Sequence, residues 1–576
     1  MLALLCARAL VAALLAADSS PSASDATAPT LTHAEQVTAA RITTGSIAAR
    51  LRFLSDDLFE GRETGTRGDA MAAKYLASEL EALGIEPGAP ADKPEGRSYF
   101  QPVPIVELTA QVPESISFNL GAVPSSAAST PLSLSTRNGE KAELVLFPDA
   151  HVDRATADKA ELVFVGYGIT APQYDWDDYK DVDVKGKIVV ILNFNPPFAG
   201  AVSGKTVRLW YGRWDYKYSN AASHGALGAL VVHTDESAGY PWRVLARNAG
   251  PTAQRLDLPP ETNEARLQFR GWLQSDAAAR LVARGGQSLE KLTAAAQLKT
   301  FHATALGLNT SFVLPIARRK IQGTNVIGLI SGNDPKLRRE AVVYTAHHDH
   351  LGMVAPVPPA TDGIFNGALD NASGCAALLS IARAATSANV PRRSMLFVFT
   401  TGEEQGLLGA RWFAAHPTFP VGRMSADINL DVINVWGRTK DVTVLGLGKS
   451  SVDDIVRAVA QAQHRTIHAD HSPDLGQFYR SDQFALASVG VPVAALVGGP
   501  EYQDRPAGWG QTQLDAWIST NYHQVSDEYR ADWDLSGAVE DAQLQLVVGL
   551  RAANAPELQR WTPGDEFEAA RELAPR

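Results

Sequence analysis

The chain has 576 residues, 52 basic and 63 acidic side chains, and a formal net charge of -11. With 45% apolar and 20% charged residues it has a globular composition, which excludes a disordered, collagenous or coiled-coil chain, and its length calls for more than one domain. The acidic balance argues against a nucleic-acid partner, which needs a basic stripe to neutralise phosphates.

Residues 1–17 (MLALLCARALVAALLAA) are nearly all apolar and give way to a stretch of small and polar residues that ends in SASDATAPT. This pattern predicts a signal peptide and flexible segment over residues 1–30, and with it a secreted or periplasmic protein. A membrane anchor over residues 2–17 and a lipid on Cys6 are weaker readings. Loss of the leader would remove Cys6 and leave Cys375 with no partner, so the fold would rely on its core instead of a disulfide. No later run approaches the ~20 apolar residues of a spanning helix.

Residues 35–90 predict helices, since LRFLSDDLF and AMAAKYLASELEALGI place apolar residues three and four apart and Gly84 ends the second run. Between Tyr99 and Pro315, short runs such as AELVLF, ELVFVGYGI, GKIVVILNF and GALGALVVH alternate with Gly, Pro, Asn and Asp, the texture of a β-rich unit. From Asn325 onward, NVIGLI, AVVYTA, SMLFVFTT and SADINLDV alternate with helical stretches near Ala372–Ala385 and through LLGARWFAA. That alternation predicts an α/β fold with a mostly parallel, mixed sheet flanked by helices. The expected organisation is one α/β domain in two parts, residues 31–105 and 316–576, interrupted by an insertion at residues 106–315.

In an open parallel sheet, ligands bind beyond the carboxyl ends of the strands. Three apolar runs here end in unusually loaded positions: AVVYTA in His347, His348, Asp349 and His350, SMLFVFTTG in Glu403 and Glu404, and SADINL in Asp431. Between the first two lies DGIFNGALDNASG, carrying Asp362 and Asp370, and far downstream His523 precedes Asp527 and Glu528. Each feature alone has a bland reading as a solvated turn, a complement to a helix dipole or a helix cap. Together they match a dinuclear centre, because histidine and carboxylate donors without thiolates suit a catalytic zinc pair. His347 and Asp349 share a face in an extended segment, so Asp349 can hold the ring of His347. Glu403 and Glu404 can face different ways, one toward metal and one toward water.

The ordered set AHHDHLG, GALDNASG, FTTGEEQGLLG, NLDV, FYRSDQF and YHQVSDEY resembles the co-catalytic zinc exopeptidases that include bacterial leucyl aminopeptidase and glutamate carboxypeptidase. The resemblance implies that His347 and Asp431 are terminal ligands of one zinc and Glu404 and His523 those of the other. It makes Asp370 the bridging carboxylate, Glu403 the general base and Asp349 the partner of His347, and it implies a cis peptide after Asp370. The sequon at Asn371 is then interior and not a glycosylation site. Tyr479 and Arg480 become candidate substrate-binding residues through FYRSDQF. The expected cofactor is two Zn2+ per chain, with Co2+ or Mn2+ as substitutes, and the expected substrates are peptides with a free N-terminus.

Carboxypeptidase action and a non-catalytic binding role are the rivals on this scaffold. No clustered arginines clearly mark an α-carboxylate site, and the full set of ligands and base speaks for catalysis. The stretches ELVFVGYGITAPQYDWDDYKDVDVKGKIVVIL and SHGALGALVVH give the insertion a resemblance to a protease-associated domain, which carries no chemistry of its own. The aromatic run LWYGRWDYKY reads as local core, or as a cleft rim shaped by Trp214 or Tyr216. His464, His468 and His471 read as solvated, Ser481 lacks a nucleophile elbow, and Cys375 reads as an inert buried thiol.

Overall fold

The computed structural model describes residues 29–90, 96–121, 130–137, 139, 141–202, 205–248, 252–258, 265–356 and 361–575. The leader, Cys6 included, lies outside the described residues. Among the described residues, no helix is long and apolar enough to cross a membrane.

Four strands, Ser394–Thr400, Ala341–His347, Met424–Asn429 and Val493–Gly498, form the parallel centre of a mixed sheet. Antiparallel strands flank them, with Thr304–Ile330 on one side and Asp441–Leu445 on the other. Strand Ala341–His347 is buried at every position, which explains its unbroken apolar sequence: both faces are covered. Its period of two divides the core. Val342, Tyr344 and Ala346 pack with helices Thr44–Leu54, Arg67–Ala82, Ser373–Ala385 and Ser536–Asn554, whereas Ala341 and Val343 pack with Phe413, Val421 and Leu486 on the opposite face.

The insertion has its own sheet. Strands Ile188–Leu192, Gly228–His233 and Phe269–Gln274 are parallel neighbours, and Leu144–Pro148 closes one edge antiparallel. Two cores lie on its faces, one with Val190, Leu192, Leu230 and Val232, the other with Val189, Ile191, Ala229 and Val231. Helices Trp214–Ser223 and Ser275–Arg284 add to the strands that the sequence texture predicts. The 27-residue strand Thr304–Ile330 joins the two sheets: its first half pairs with Arg154–Phe164, its second with Phe100–Ala110 and Ser394–Thr400. Residues 105/106 and 315/316 thus fall inside continuous strands.

Candidate metal centre

Parallel strands finish at a common edge, and here His347 stands opposite Thr400 and Thr345 opposite Asn429. The residues that follow each strand, His348–His350, Glu403–Glu404 and Asp431, therefore meet at that edge. Asp370 arrives from the segment before helix Ser373–Ala385, where Gly367 takes φ 51° and a Cβ would lie 2.2 Å from the Asp370 carbonyl oxygen. The Asp370–Asn371 peptide bond is cis. Asn371 is fully buried and donates to the Leu430 carbonyl, so the sequon is interior.

The five predicted ligands come together around Asp370. His347 Nε2 lies 3.3 Å from Asp370 Oδ1 and 3.4 Å from Asp431 Oδ1. His523 Nε2 lies 3.3 Å from Asp370 Oδ2 and 3.1 Å from Glu404 Oε2. Donors at about 2.0–2.1 Å from a tetrahedral zinc stand about 3.3 Å from one another, so both sets have the spacing of ligands around a cation. The side chain of His347 is 1% exposed while those of Asp431 and His523 are 26% and 20% exposed, which opens the site on the Asp431 and His523 side.

The electrostatics of the cluster show a demand for positive charge. Burial works against a charged His523, yet Glu404 and Asp370 raise its pKa to about 10. Burial likewise opposes ionisation of Glu404, and His523 and His350 nevertheless bring it down to about 2. Asp370 is held well below the carboxylate range by His347 and His523, against its burial. Glu403 is pushed well up, first by burial and then by Glu404 and Asp431.

The Asp349 carboxylate is spent mainly on the next strand end. Its Oδ1 accepts from the Glu403 amide at 3.1 Å, and its Oδ2 accepts from the Glu404 amide at 3.4 Å and the Thr64 hydroxyl at 3.2 Å. His347 Nδ1 lies 3.2 Å from the Asp349 backbone oxygen and 3.7 Å from its carboxylate, so the carbonyl is the ring's nearer partner. Tyr479 is corrected as a cleft residue: it is 3% exposed and its hydroxyl donates to Glu566. Arg480 ties the loop to the insertion, donating to the carbonyls of Leu475 and Ala238. Trp214 and Tyr216 are held within the insertion, by Trp272 and by the Thr170 backbone.

Other contributors had no assigned role in the sequence. His350 Nδ1 lies 2.7 Å from Glu404 Oε1, its buried Nε2 has no hydrogen-bond partner among the described residues, and it offers a further donor beside Asp370 and Glu404. Asp527 accepts from the amides of Leu369 and Asp370, and the Tyr522 ring stacks on His523 at 3.9 Å. His523 and Val432, next to Asp431, take φ of 56° and 61°. A β-branched residue there is a backbone outlier, at about 1–3 kcal/mol, of the kind that clusters at functional sites.

With this geometry in place, residues 325–547 match the profile of peptidase family M28 and residues 140–261 that of the PA domain. Over residues 325–547 the chain is similar to the M28 family. The PA domain lies in the insertion, ahead of the M28 residues. The vacuolar membrane protease of Verticillium alfalfae is 34% identical over 99 residues, 17% of this chain and 9% of that protein. Its counterpart from Yarrowia lipolytica is 30% identical over 118 residues, 20% of this chain and 11% of that protein. The chain thus spans about a tenth of the length of these curated relatives. The aminopeptidase from Aneurinibacillus sp. strain AM-1 shares the fold, with TM-score 0.50 and 18% identity over 92% of this chain and 98% of that one. The expectation of a secreted or periplasmic protein is corrected by the curated relatives that the chain matches, which are named vacuolar membrane proteases. An apolar leader reports a segment that enters a membrane and not the compartment a chain finally faces.

Proposed function

We propose that the chain is a two-zinc exopeptidase that removes N-terminal residues from peptides. One observation carries the reading: each carboxylate oxygen of Asp370 faces a different histidine ring, and each ring has a second carboxylate beside it. His347 and Asp431 would hold one cation and Glu404 and His523 the other, with Asp370 common to both. Co2+ or Mn2+ suits similar donors. When bound, the cations supply Lewis-acid polarisation of the scissile carbonyl and a nucleophile from water at neutral pH.

The chain's own residues do the rest. Glu403 takes the proton of the attacking water and returns it to the leaving amine. Asp349 fixes the Glu403 amide, His350 orients Glu404, and Asp527 anchors the backbone of Asp370. The activity named for the Aneurinibacillus protein agrees with this polarity.

A second reading, carboxypeptidase action, is favoured by an arginine group that is scattered in sequence. Arg208 and Arg213 of the insertion and Arg480 lie close enough to depress the proton affinity of Arg208 and Arg213, burial being the larger cause. Arg213 is buried, and its Nε and Nη1 have no hydrogen-bond partner among the described residues. Arg213 and Arg480 both interact electrostatically with Tyr522, the residue stacked on His523, and this is the observation behind the second reading.

One experiment separates these readings: hydrolysis of a peptide panel with free or acetylated N-termini and free or amidated C-termini, with and without chelator. The expected result is cleavage that requires a free N-terminus, stops with chelator and returns with zinc. Cleavage of acetylated peptides only when the C-terminus is free would establish the second reading. Undiminished hydrolysis in chelator would overturn both.

A further inference from the structure

The ligand-bearing loops rest on a segment that the reaction does not use, Glu60–Asp69. Arg62 is 1% exposed. Its guanidinium spends four hydrogen bonds on backbone carbonyls: Nε on His348 at 2.8 Å, Nη1 on Leu54 at 2.7 Å and Asn366 at 2.6 Å, and Nη2 on Gly367 at 2.9 Å. His348 lies between His347 and Asp349, and Gly367 lies three residues before Asp370. Among the described residues all of its direct hydrogen bonds go to carbonyl oxygens, while the carboxylates of Asp349, Asp527 and Asp370 stabilise its charge from further off. An apolar side chain in this place would leave the four carbonyl oxygens without these donors, at a desolvation cost for each. What a guanidinium adds is a rigid planar fork of donors that sets the carbonyls of two loops relative to each other.

The backbone of the same segment points the same way. Glu60, Gly61 and Arg62 take φ of 52°, 67° and 53°, three consecutive left-handed residues that only surrounding contacts can maintain. In that conformation the Gly61 carbonyl accepts from the Gly352 amide at 3.0 Å and the Arg62 carbonyl accepts from the His350 amide at 3.2 Å. A Cβ at residue 61 would lie 2.2 Å from the Gly352 oxygen. Downstream, the Thr64 hydroxyl reaches Asp349 Oδ2 at 3.2 Å, and Asp69 Oδ1 lies 3.0 Å from His348 Nε2 and 3.1 Å from the Thr401 hydroxyl. One short segment thus grips the strand ends at His347 and Thr400 and the loop before Asp370.

We propose that Glu60–Asp69 is a brace for the metal ligands, with Arg62 its principal positioning residue, acting by fixing the His347–His350 loop against the Asn366–Asp370 loop. The proposal rests on the two-metal reading above. Loss of the fork should loosen the donor spacing around Asp370 and weaken cation binding, while the peptide-binding surface stays as it is. Residues that orient metal ligands from behind are typically worth about 10–100-fold in metal affinity or activity.

The test uses the full chain, stripped with chelator and titrated with Zn2+ against a chromophoric competitor, together with thermal melting of the metal-free protein. Arg62→Lys keeps the charge and loses the fork, and Arg50→Lys, at a half-buried arginine paired with Glu79, is the control. Arg62→Lys should raise the zinc Kd by about 10–100-fold, lower kcat at limiting zinc with KM unchanged, recover in excess zinc, and melt metal-free near the control. Thr64→Val, which removes the bond to Asp349 and little volume, should weaken zinc binding in the same direction and carries the test if Arg62→Lys does not fold. Zinc affinity unchanged in the variants would overturn the brace and leave the metal reading standing. A parent chain that binds no zinc would overturn both.

Discussion

Asp370 presents one carboxylate oxygen to each of two histidine rings, and Glu403 stands beside this arrangement with its proton affinity raised by burial and by Glu404 and Asp431. The two side chains should therefore fail differently. Glu403→Gln keeps the shape and removes the base, so kcat should fall about 10²–10⁴-fold while metal content by elemental analysis stays at the parent value. Asp370→Ala removes the shared donor, and its metal content should fall toward zero. A Glu403→Gln enzyme with parental kcat would remove that residue from the reaction. Glu403 was legible because it follows a strand end, and Asp370 because it stands just ahead of a helix within a motif. Arg62, Asp69 and Asp527 were not: their partners lie 286, 279 and 157 residues away, and an arginine beside a glycine reads as a surface turn.

The elements that carry the ligands depend on close packing under the sheet. Helix Ser536–Asn554 crosses strand Ala341–His347 at Gly549, where a Cβ would lie 1.8 Å from the Tyr344 hydroxyl oxygen. Tyr344 is fully buried and donates to the Gln545 carbonyl, so it has no easy retreat. Gly549→Ala should destabilise the chain by about 1–3 kcal/mol through overpacking, despite alanine's better helix propensity, as read by the denaturant midpoint. A neutral or stabilising effect would mean that the helix can shift. The apolar run AVVYTA showed that this strand is covered on both faces. Strand Thr304–Ile330 was far less visible, because its middle, with Arg318, Arg319 and Lys320, is largely exposed and reads as a charged loop. Its length comes from pairing with two sheets at once, which no local pattern encodes.

Across the whole molecule, the insertion is fastened to the peptidase part through side chains as well as strands: buried Arg208 donates to the carbonyl of Asp474, and Arg480 to that of Ala238. The insertion also carries a pH-dependent weakness. His233 is 1% exposed among Tyr240, Trp242 and Trp272, and burial lowers its pKa to about 4. An unfolded histidine titrates near ~6.5, so between these values the unfolded chain binds more protons and stability falls as pH drops, by up to about 3 kcal/mol. Asp178, raised to about 7 by burial, has the opposite slope and makes a variant comparison necessary. His233→Phe should gain melting temperature relative to the parent as pH falls from ~6.5 toward ~4, and a constant difference would show that His233 does not titrate in that window.

Sequence alone determined the composition class, the alternation of strands and helices, and the residue types at the strand ends, because hydropathy periodicity and side-chain chemistry are local properties of the chain. Tertiary structure decided which of those side chains share a cluster, which distant residues hold them from behind, and that Arg208, Arg213 and Arg480 converge while Tyr479 turns away. The reason is physical: the register between strands and the packing of helices on their faces bring together groups hundreds of residues apart, and both are set by the burial of the whole core.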